Sequence, residues 1–330
     1  GTSSLFLEMT AIRLEPNDNV ILPSINFIAS ANICKIFKAN IYLCDVDPLT
    51  GQMRPEDVEK CIIKNQLKKI KVLCTMYLGG SANNIIGFHN LKKKYNFFLI
   101  EDACHALGSY YEYKNLRFKI GSCKHSDICC FSLHPLKTIT SGEGGLVTTK
   151  NKNFYKLMNL YRSHGMKQNS KSHWNYNFTS PGLNLRMSDI NAALAFSQLK
   201  KINKFISKRK VISERYNKLL KNLPNLYLIE EKEIKKSSNH LFIIHIAFNK
   251  IRKKKDVFFE YLKKNNVLAQ FHYTPLYEVD YLKKSIKNKF DKMAGSKLYK
   301  KNSISIPIYY DLNLKNQMRV INLIKNFIYN

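Results

Sequence analysis

The feature that most constrains this chain is an alternation along its first two-thirds. Short, continuously apolar runs are separated by helix-patterned stretches. Val20–Leu22, Ile41–Cys44, Val72–Met76, Phe97–Ile100, Ile128–Phe131 and Leu146–Thr149 read as strands. Leu5–Leu14, Ala29–Phe37, Pro55–Ile63 and a segment ending at Leu91–Tyr95 read as helices, the third with Pro at its start. Strands apolar on both faces must be covered on both. The alternation therefore predicts an α/β fold: a mainly parallel central sheet with helices on both faces.

Ile190, Leu194, Leu199, Ile202, Phe205 and Ile206 recur at roughly helical spacing. They predict one long helix that crosses to a smaller unit near residue 207. Beyond it, Phe242–Ala247 and Val267–Phe271 read as strands, and Asp256–Lys264 and Asn316–Tyr329 as helices. A small C-terminal α+β domain follows, so the expected division is 1–206 and 207–330. A chain of 330 residues with 45% hydrophobic content can build two such cores. No apolar run reaches bilayer length and no signal-peptide pattern opens the chain, so the expected compartment is the cytoplasm, with no membrane partner.

The net charge of +30 raises nucleic-acid binding as a reading. Only nine of the 54 basic residues are Arg, however, and the lysines scatter over helix faces without an Arg-and-aromatic platform. Compositional bias explains this pattern better, and no nucleic-acid partner is expected. Such a surface still attracts an anionic substrate. The eight Cys include no C-x-x-C pair, and several lie in apolar segments. They read as free buried thiols, and no metal site is expected. Cys129 and Cys130, adjacent on a strand, point to opposite faces.

Four segments carry candidate chemistry. In Phe131-Ser132-Leu133-His134-Pro135-Leu136-Lys137, followed by Thr138 to Gly145, a strand enters a polar loop with one Lys and a closing Gly pair. A lone Lys in a partly closed pocket can have a depressed pKa and form imines. In Leu99-Ile100-Glu101-Asp102-Ala103-Cys104-His105, a carboxylate ends a buried strand, where open α/β sheets place ligands. Gly1-Thr2-Ser3-Ser4 precedes a helix, an arrangement that binds phosphate. Ser188, after Pro181-Gly182-Leu183-Asn184-Leu185-Arg186-Met187, is a candidate N-cap. Each feature also has a structural reading: a hairpin with a solvated Lys, a helix cap at Asp102 or at Thr2 and Ser3, and a core histidine at His105.

Taken in order, these segments resemble the DegT/StrS family of sugar aminotransferases, and the resemblance covers essentially the whole chain. It implies the fold type I of pyridoxal-5′-phosphate (PLP) aminotransferases. It makes Lys137 the Schiff-base lysine and proton shuttle, and Asp102 the partner of the pyridine nitrogen. Thr2, Ser3 and Ser132 match the phosphate contacts, Phe27 an aromatic that stacks on the cofactor, and His105 another cofactor contact. Asn184 matches an Asn that reaches the cofactor of the neighbouring subunit, which implies a homodimer with shared active sites. Leu183 and Leu185 stand where the family has aromatics.

Tyr161 to Met166, His134-Pro135, Ser237 to Phe242 and Leu268 to Tyr277 resemble the pseudaminic-acid branch of the family. That branch implies transfer of an amino group from L-glutamate to C4 of a UDP-linked 4-keto-6-deoxy-N-acetylhexosamine. Gln270, Phe271, His272 and Tyr273 are then substrate-binding residues, with Asn184 contributing. Read without the resemblance, they show only a strand ending in polar aromatics. Aminotransfer to another 4-keto sugar, such as a UDP-4-keto-pentose, is the nearest alternative. Members that are sugar dehydratases replace the Schiff-base Lys by His, against which Lys137 stands. Family members carry a further segment ahead of the phosphate turn, so the resemblance also implies a missing N-terminal part, and an inactive short member is a further reading.

Overall fold

The computed structural model describes residues 1–82, 84–169, 172–234, 236–289 and 292–329. In chain order its elements are α1 (Thr2–Ala11), β1 (Asn19–Pro23), α2 (Ala29–Ile36), β2 (Asn40–Cys44), α3 (Pro55–Lys64), β3 (Val72–Met76), α4 (Ile85–Tyr95) and β4 (Phe98–Asp102). A hairpin, β5 (Tyr110–Tyr113) and β6 (Leu116–Lys119), leads to β7 (Ile128–Ser132), β8 (Gly145–Thr149) and α5 (Lys152–Tyr161). A second hairpin, β9 (Met166–Asn169) and β10 (Ser172–Phe178), precedes α6 (Asp189–Leu199) and α7 (Ile202–Leu220). The chain closes with β11 (Leu226–Leu228), α8 (Glu231–Ile234), β12 (Phe242–Ile246), α9 (Lys255–Lys264), α10 (Ala294–Asn302), β13 (Ser303–Ile306) and α11 (Leu314–Tyr329).

The central sheet has the order β2-β1-β3-β4-β7-β8. All its neighbours pair parallel except β7 and β8. Successive residues of each strand feed opposite cores, as the period of two requires. Ile21, Leu73, Leu99 and Cys129 pack with Val58 of α3 and Phe88 of α4. Val20, Val72, Ile100 and Cys130 pack on the other face with Leu5 and Met9 of α1 and Ile33 of α2. The α/β expectation therefore holds, and the apolar runs are its cause. A separate antiparallel sheet, β11-β12-β13, packs with α7, α9 and α11 around Tyr216, Ile244, Phe258 and Ile324. Leu276, Leu282 and Met293 return to the core beneath α1 and α2. No described helix is long and apolar enough to cross a membrane.

Four expectations need correction. The single helix across 190–206 is two helices. Lys201 N–H bonds back three residues to the Gln198 carbonyl at 2.9 Å, which tightens and ends the last turn of α6. The apolar residues of α6 face outward, with Ile190 84% and Phe196 61% exposed. Val267–Phe271 is no strand: only Gln270 bridges, exchanging backbone bonds of 2.9 and 2.8 Å with Ser305. The first helix begins at Thr2 and ends at Ala11, because a helix can open on polar residues without an apolar signal. Strand β4 runs through Glu101 to Asp102, whose pairing with Cys129 and Cys130 of β7 overrides their polarity.

Candidate active site

The C-terminal edge of the parallel sheet brings the first three candidates together. Asp102 ends β4 and Ser132 ends β7. Strand β8 runs the other way, so its first residue, Gly145, pairs with Ser132 at the same edge. The N-terminus of α1 rests on this corner: the Gly1 nitrogen donates to the Gly144 carbonyl at 3.1 Å. A Cβ on Gly145 would lie 2.5 Å from the Gly1 nitrogen and 2.4 Å from Ser4 Oγ, so glycine is what lets the helix end approach. A Cβ on Gly1 would lie 3.2 Å from Ser132 Oγ. No side chain caps the first turn of α1, and Thr2 and Ser3 are exposed there. The helix end and these hydroxyls form a cradle suited to phosphate. They line a cavity of about 670 Å³ together with Arg162, Asn184 and Arg186.

Asp102 is buried. Its Oδ1 accepts the Cys104 backbone N–H at 3.1 Å and faces the Cys130 thiol at 3.9 Å. Asp102, Cys104 and Cys130 bring their polar atoms within 4.8 Å of one another. Burial and the Cys104 contact push the Cys130 thiol well up, so it is a neutral neighbour. Beneath them lies Glu8 of α1, fully buried, with neither carboxylate oxygen hydrogen-bonded. Burial first, then the Asp102 charge, raises its pKa well above the ordinary carboxylate value.

Lys137 sits on the loop between β7 and β8, where its backbone N–H closes a turn on the His134 carbonyl at 2.9 Å. Burial lowers its pKa, and Cys104 and Asp102 oppose that shift. Its charge in turn depresses His105, His240 and His272, for each of which burial is the larger cause. Among the described residues Lys137 makes no ion pair within 4 Å. A partly desolvated amine within electrostatic reach of a buried carboxylate can act as a nucleophile.

A wall of rings flanks this centre. The His105 ring packs against His240 at 4.3 Å, tilted by 46°, and is 6.3 Å from His272. Its Nδ1 receives the Gly79 N–H at 3.3 Å, and its Nε2 meets the Tyr273 hydroxyl at 3.1 Å. Phe27 lies 5.5 Å from the Tyr273 ring and stays 50% exposed, so a face remains open for stacking. Gln270 and His272 share a second cavity, about 630 Å³, with Lys137. Phe271 does not join them: its ring lies 6.4 Å from Tyr299, under Lys255 Nζ at 3.9 Å. Asn184 is exposed in the phosphate-side cavity, bridged to Ser163. The sequence marks His240 only as part of a motif and does not single out Arg209 or Glu8. Arg209 sits in a Lys-rich helical stretch that reads as a solvated face, and Glu8 in a helix whose burial no local pattern announces.

Fold and site together define a class: an α/β enzyme with a partly desolvated lysine, a buried aspartate and an uncapped helix N-terminus at one sheet edge. The sequence profile of the DegT/DnrJ/EryC1/StrS aminotransferase family matches residues 1–325, and the chain belongs to that family. It is 34% identical over 315 residues to the UDP-4-amino-4,6-dideoxy-N-acetyl-beta-L-altrosamine transaminase of Campylobacter jejuni subsp. jejuni serotype O:23/36. That match covers 96% of this chain and 80% of the relative. Helicobacter pylori PseC, an aminotransferase involved in the biosynthesis of pseudoaminic acid, superposes with a TM-score of 0.89 at 26% identity, covering 100% of this chain and 85% of that one. An aminotransferase from Psychrobacter cryohalolentis gives a TM-score of 0.89 at 21% identity over 100% of this chain and 86% of its own, a likeness of fold.

Proposed function

We propose that this chain transfers an amino group from L-glutamate to C4 of a UDP-linked 4-keto-6-deoxy-N-acetylhexosamine, with PLP as cofactor, in the cytoplasm. The observation that carries the reading is Lys137, partly desolvated and within electrostatic reach of buried Asp102. The likeness to the Campylobacter and Helicobacter enzymes supports the sugar.

The residues present fit the cofactor's chemistry. The α1 N-terminus with Thr2, Ser3 and Ser132 offers donors to a phosphate. Asp102 offers a buried anion to a ring nitrogen, and Phe27 an open aromatic face. PLP, when bound, supplies the electron sink that makes the substrate carbon acidic. Lys137 Nζ would hold the cofactor through its aldehyde group, and as a free amine would move a proton at the reacting carbon. His105, kept neutral by burial, is fixed by the Gly79 N–H and the Tyr273 hydroxyl, and so holds its ring in one orientation. Gln270, His272 and Tyr273 contact the sugar nucleotide, with Phe271 supporting them from behind. Residues 1–206 carry the cofactor, and 207–330 form the smaller unit. Asn184 serves the site of a second copy in a homodimer. The outward apolar face of α6 (Ile190, Leu194, Phe196 and Leu199) supports that pairing.

The test is incubation of the PLP-loaded protein with the 4-keto sugar nucleotide and ¹⁵N-glutamate. Mass spectrometry should show ¹⁵N at C4 of the product. Turnover confined to a UDP-4-keto-pentose would overturn the hexosamine assignment, and no transfer to either would overturn the whole reading.

A further inference from the structure

The cavity that Lys137 shares with Gln270 and His272 has a second cation deep in its wall. Arg209 of α7 is 7% exposed, yet it lines this cavity. Its Nη1 is anchored by three backbone carbonyls: Asn239 at 3.3 Å, His240 at 3.1 Å and Ile308 at 2.9 Å. Among the described residues, Nε and Nη2 have no hydrogen-bond partner, and no carboxylate pairs with the guanidinium. Burial without a counter-charge pushes Arg209 down to about 10. His240 beside it is 7% exposed, and its Nδ1 has no hydrogen-bond partner. Among the described residues no Asp or Glu lines the cavity, whereas Arg319 adds a further cation at its exposed rim. A buried guanidinium with its Nε–Nη2 edge unused is incomplete: that edge matches a carboxylate bidentately, and desolvation strengthens the bond.

We infer that this cavity binds a carboxylate group, and that Arg209 is the residue that holds the carboxylate of the amino-acid donor. The inference rests on the aminotransferase reading for the donor's identity, but the anion site itself stands on the geometry alone. A diphosphate shares the chemistry. One observation favours the donor over the diphosphate at this cavity. Its remaining wall is largely aliphatic, with Leu136, Leu241, Val267, Ile306 and Leu312, which suits the methylenes of a dicarboxylic amino acid. Lys137 lines the same space, so a donor held by Arg209 presents its amine toward Lys137 Nζ.

The test uses the full chain without cofactor, so it is independent of turnover. Binding of glutarate, a dicarboxylate without an amine, and of UDP is measured by calorimetry on the parent, Arg209→Lys and His240→Gln. Loss of a bidentate charge-assisted pair should weaken glutarate about tenfold or more in Arg209→Lys, leaving UDP unchanged. His240→Gln, which keeps all three backbone anchors of Arg209, should weaken glutarate by a smaller factor. In the loaded enzyme, the KM for L-glutamate should rise in Arg209→Lys while the half-reaction with the sugar nucleotide keeps its KM. Weakened UDP binding with glutarate unchanged would assign the site to the diphosphate and overturn the donor assignment. Unchanged affinity for both anions in both variants would overturn the site. Should Arg209→Lys fail to fold, unchanged glutarate affinity in His240→Gln alone would overturn it.

Discussion

Replacing Glu8 with Gln should stabilise this protein, and by more at higher pH. Glu8 lies fully buried under the Asp102 corner, with both carboxylate oxygens unpartnered. Burial first, then Asp102, raises its folded pKa well above the ordinary value of 4.5. In the unfolded chain it ionises near 4.5; in the folded chain it gives up its proton only at higher pH. Above pH 4.5 the folded state therefore holds one more proton than the unfolded state. Stability from this group is fully present below the unfolded pKa and is lost as pH rises toward the folded pKa. Between the two pKa values the slope approaches about 1.4 kcal/mol per pH unit. Glutamine has nearly the same shape and stays neutral, so it removes the slope and little else. Urea unfolding of parent and Glu8→Gln at pH 5, 6 and 7 reads the difference directly. The variant's advantage should grow from pH 5 to pH 7, by at most about 1.4 kcal/mol per pH unit. A difference that stays constant across the three pH values would refute the reasoning, because it would mean Glu8 is ionised in both states or neutral in both.

Three further outcomes follow from the same geometry. Gly145→Ala should weaken cofactor binding by roughly 10-fold or more, since its Cβ would collide with Ser4 Oγ and the Gly1 nitrogen; fluorescence titration with PLP checks this, and unchanged affinity contradicts the cradle. Asp102→Asn should lower turnover by about 100-fold or more while the protein still folds, because the proposed partner of the cofactor's ring nitrogen loses its carboxylate; steady-state kinetics with circular dichroism decide it. His245 is buried, bonds the Leu49 carbonyl through Nε2 at 2.8 Å, and is held by burial at about 4. Its folded pKa is depressed, so the unfolded state binds the extra proton and stability falls as pH drops from 6.5 to 4. His245→Gln should flatten that limb by about 1.4 kcal/mol per pH unit, which urea unfolding at pH 5 and 6.5 can measure.

The central sheet was legible because its strands are buried on both faces, as at Val72–Met76, where every residue is buried. Such runs leave few alternatives. The hairpins β5–β6 and β9–β10 carry polar, partly exposed residues whose pairing no periodicity announces. The apolar period of α6 was visible but misassigned: it does not cover a core within this chain. Lys137 and Asp102 stood out because each breaks its surroundings, one a lone amine in a small-residue loop, the other an acid ending an apolar strand. Arg209 did not stand out, since Lys208 and Lys210 flank it and only the fold shows which one turns inward. Gln270 to Tyr273 read as one stretch, yet Phe271 turns away from the cavity that Gln270 and His272 line.

Reduction of the PLP-loaded protein with borohydride, followed by peptide mass spectrometry, tests the covalent role of Lys137 most directly. A phosphopyridoxyl mass should sit on the peptide containing Lys137 and vanish in Lys137→Ala. Stoichiometric label on another lysine, with the Lys137 peptide unmodified, would contradict the account.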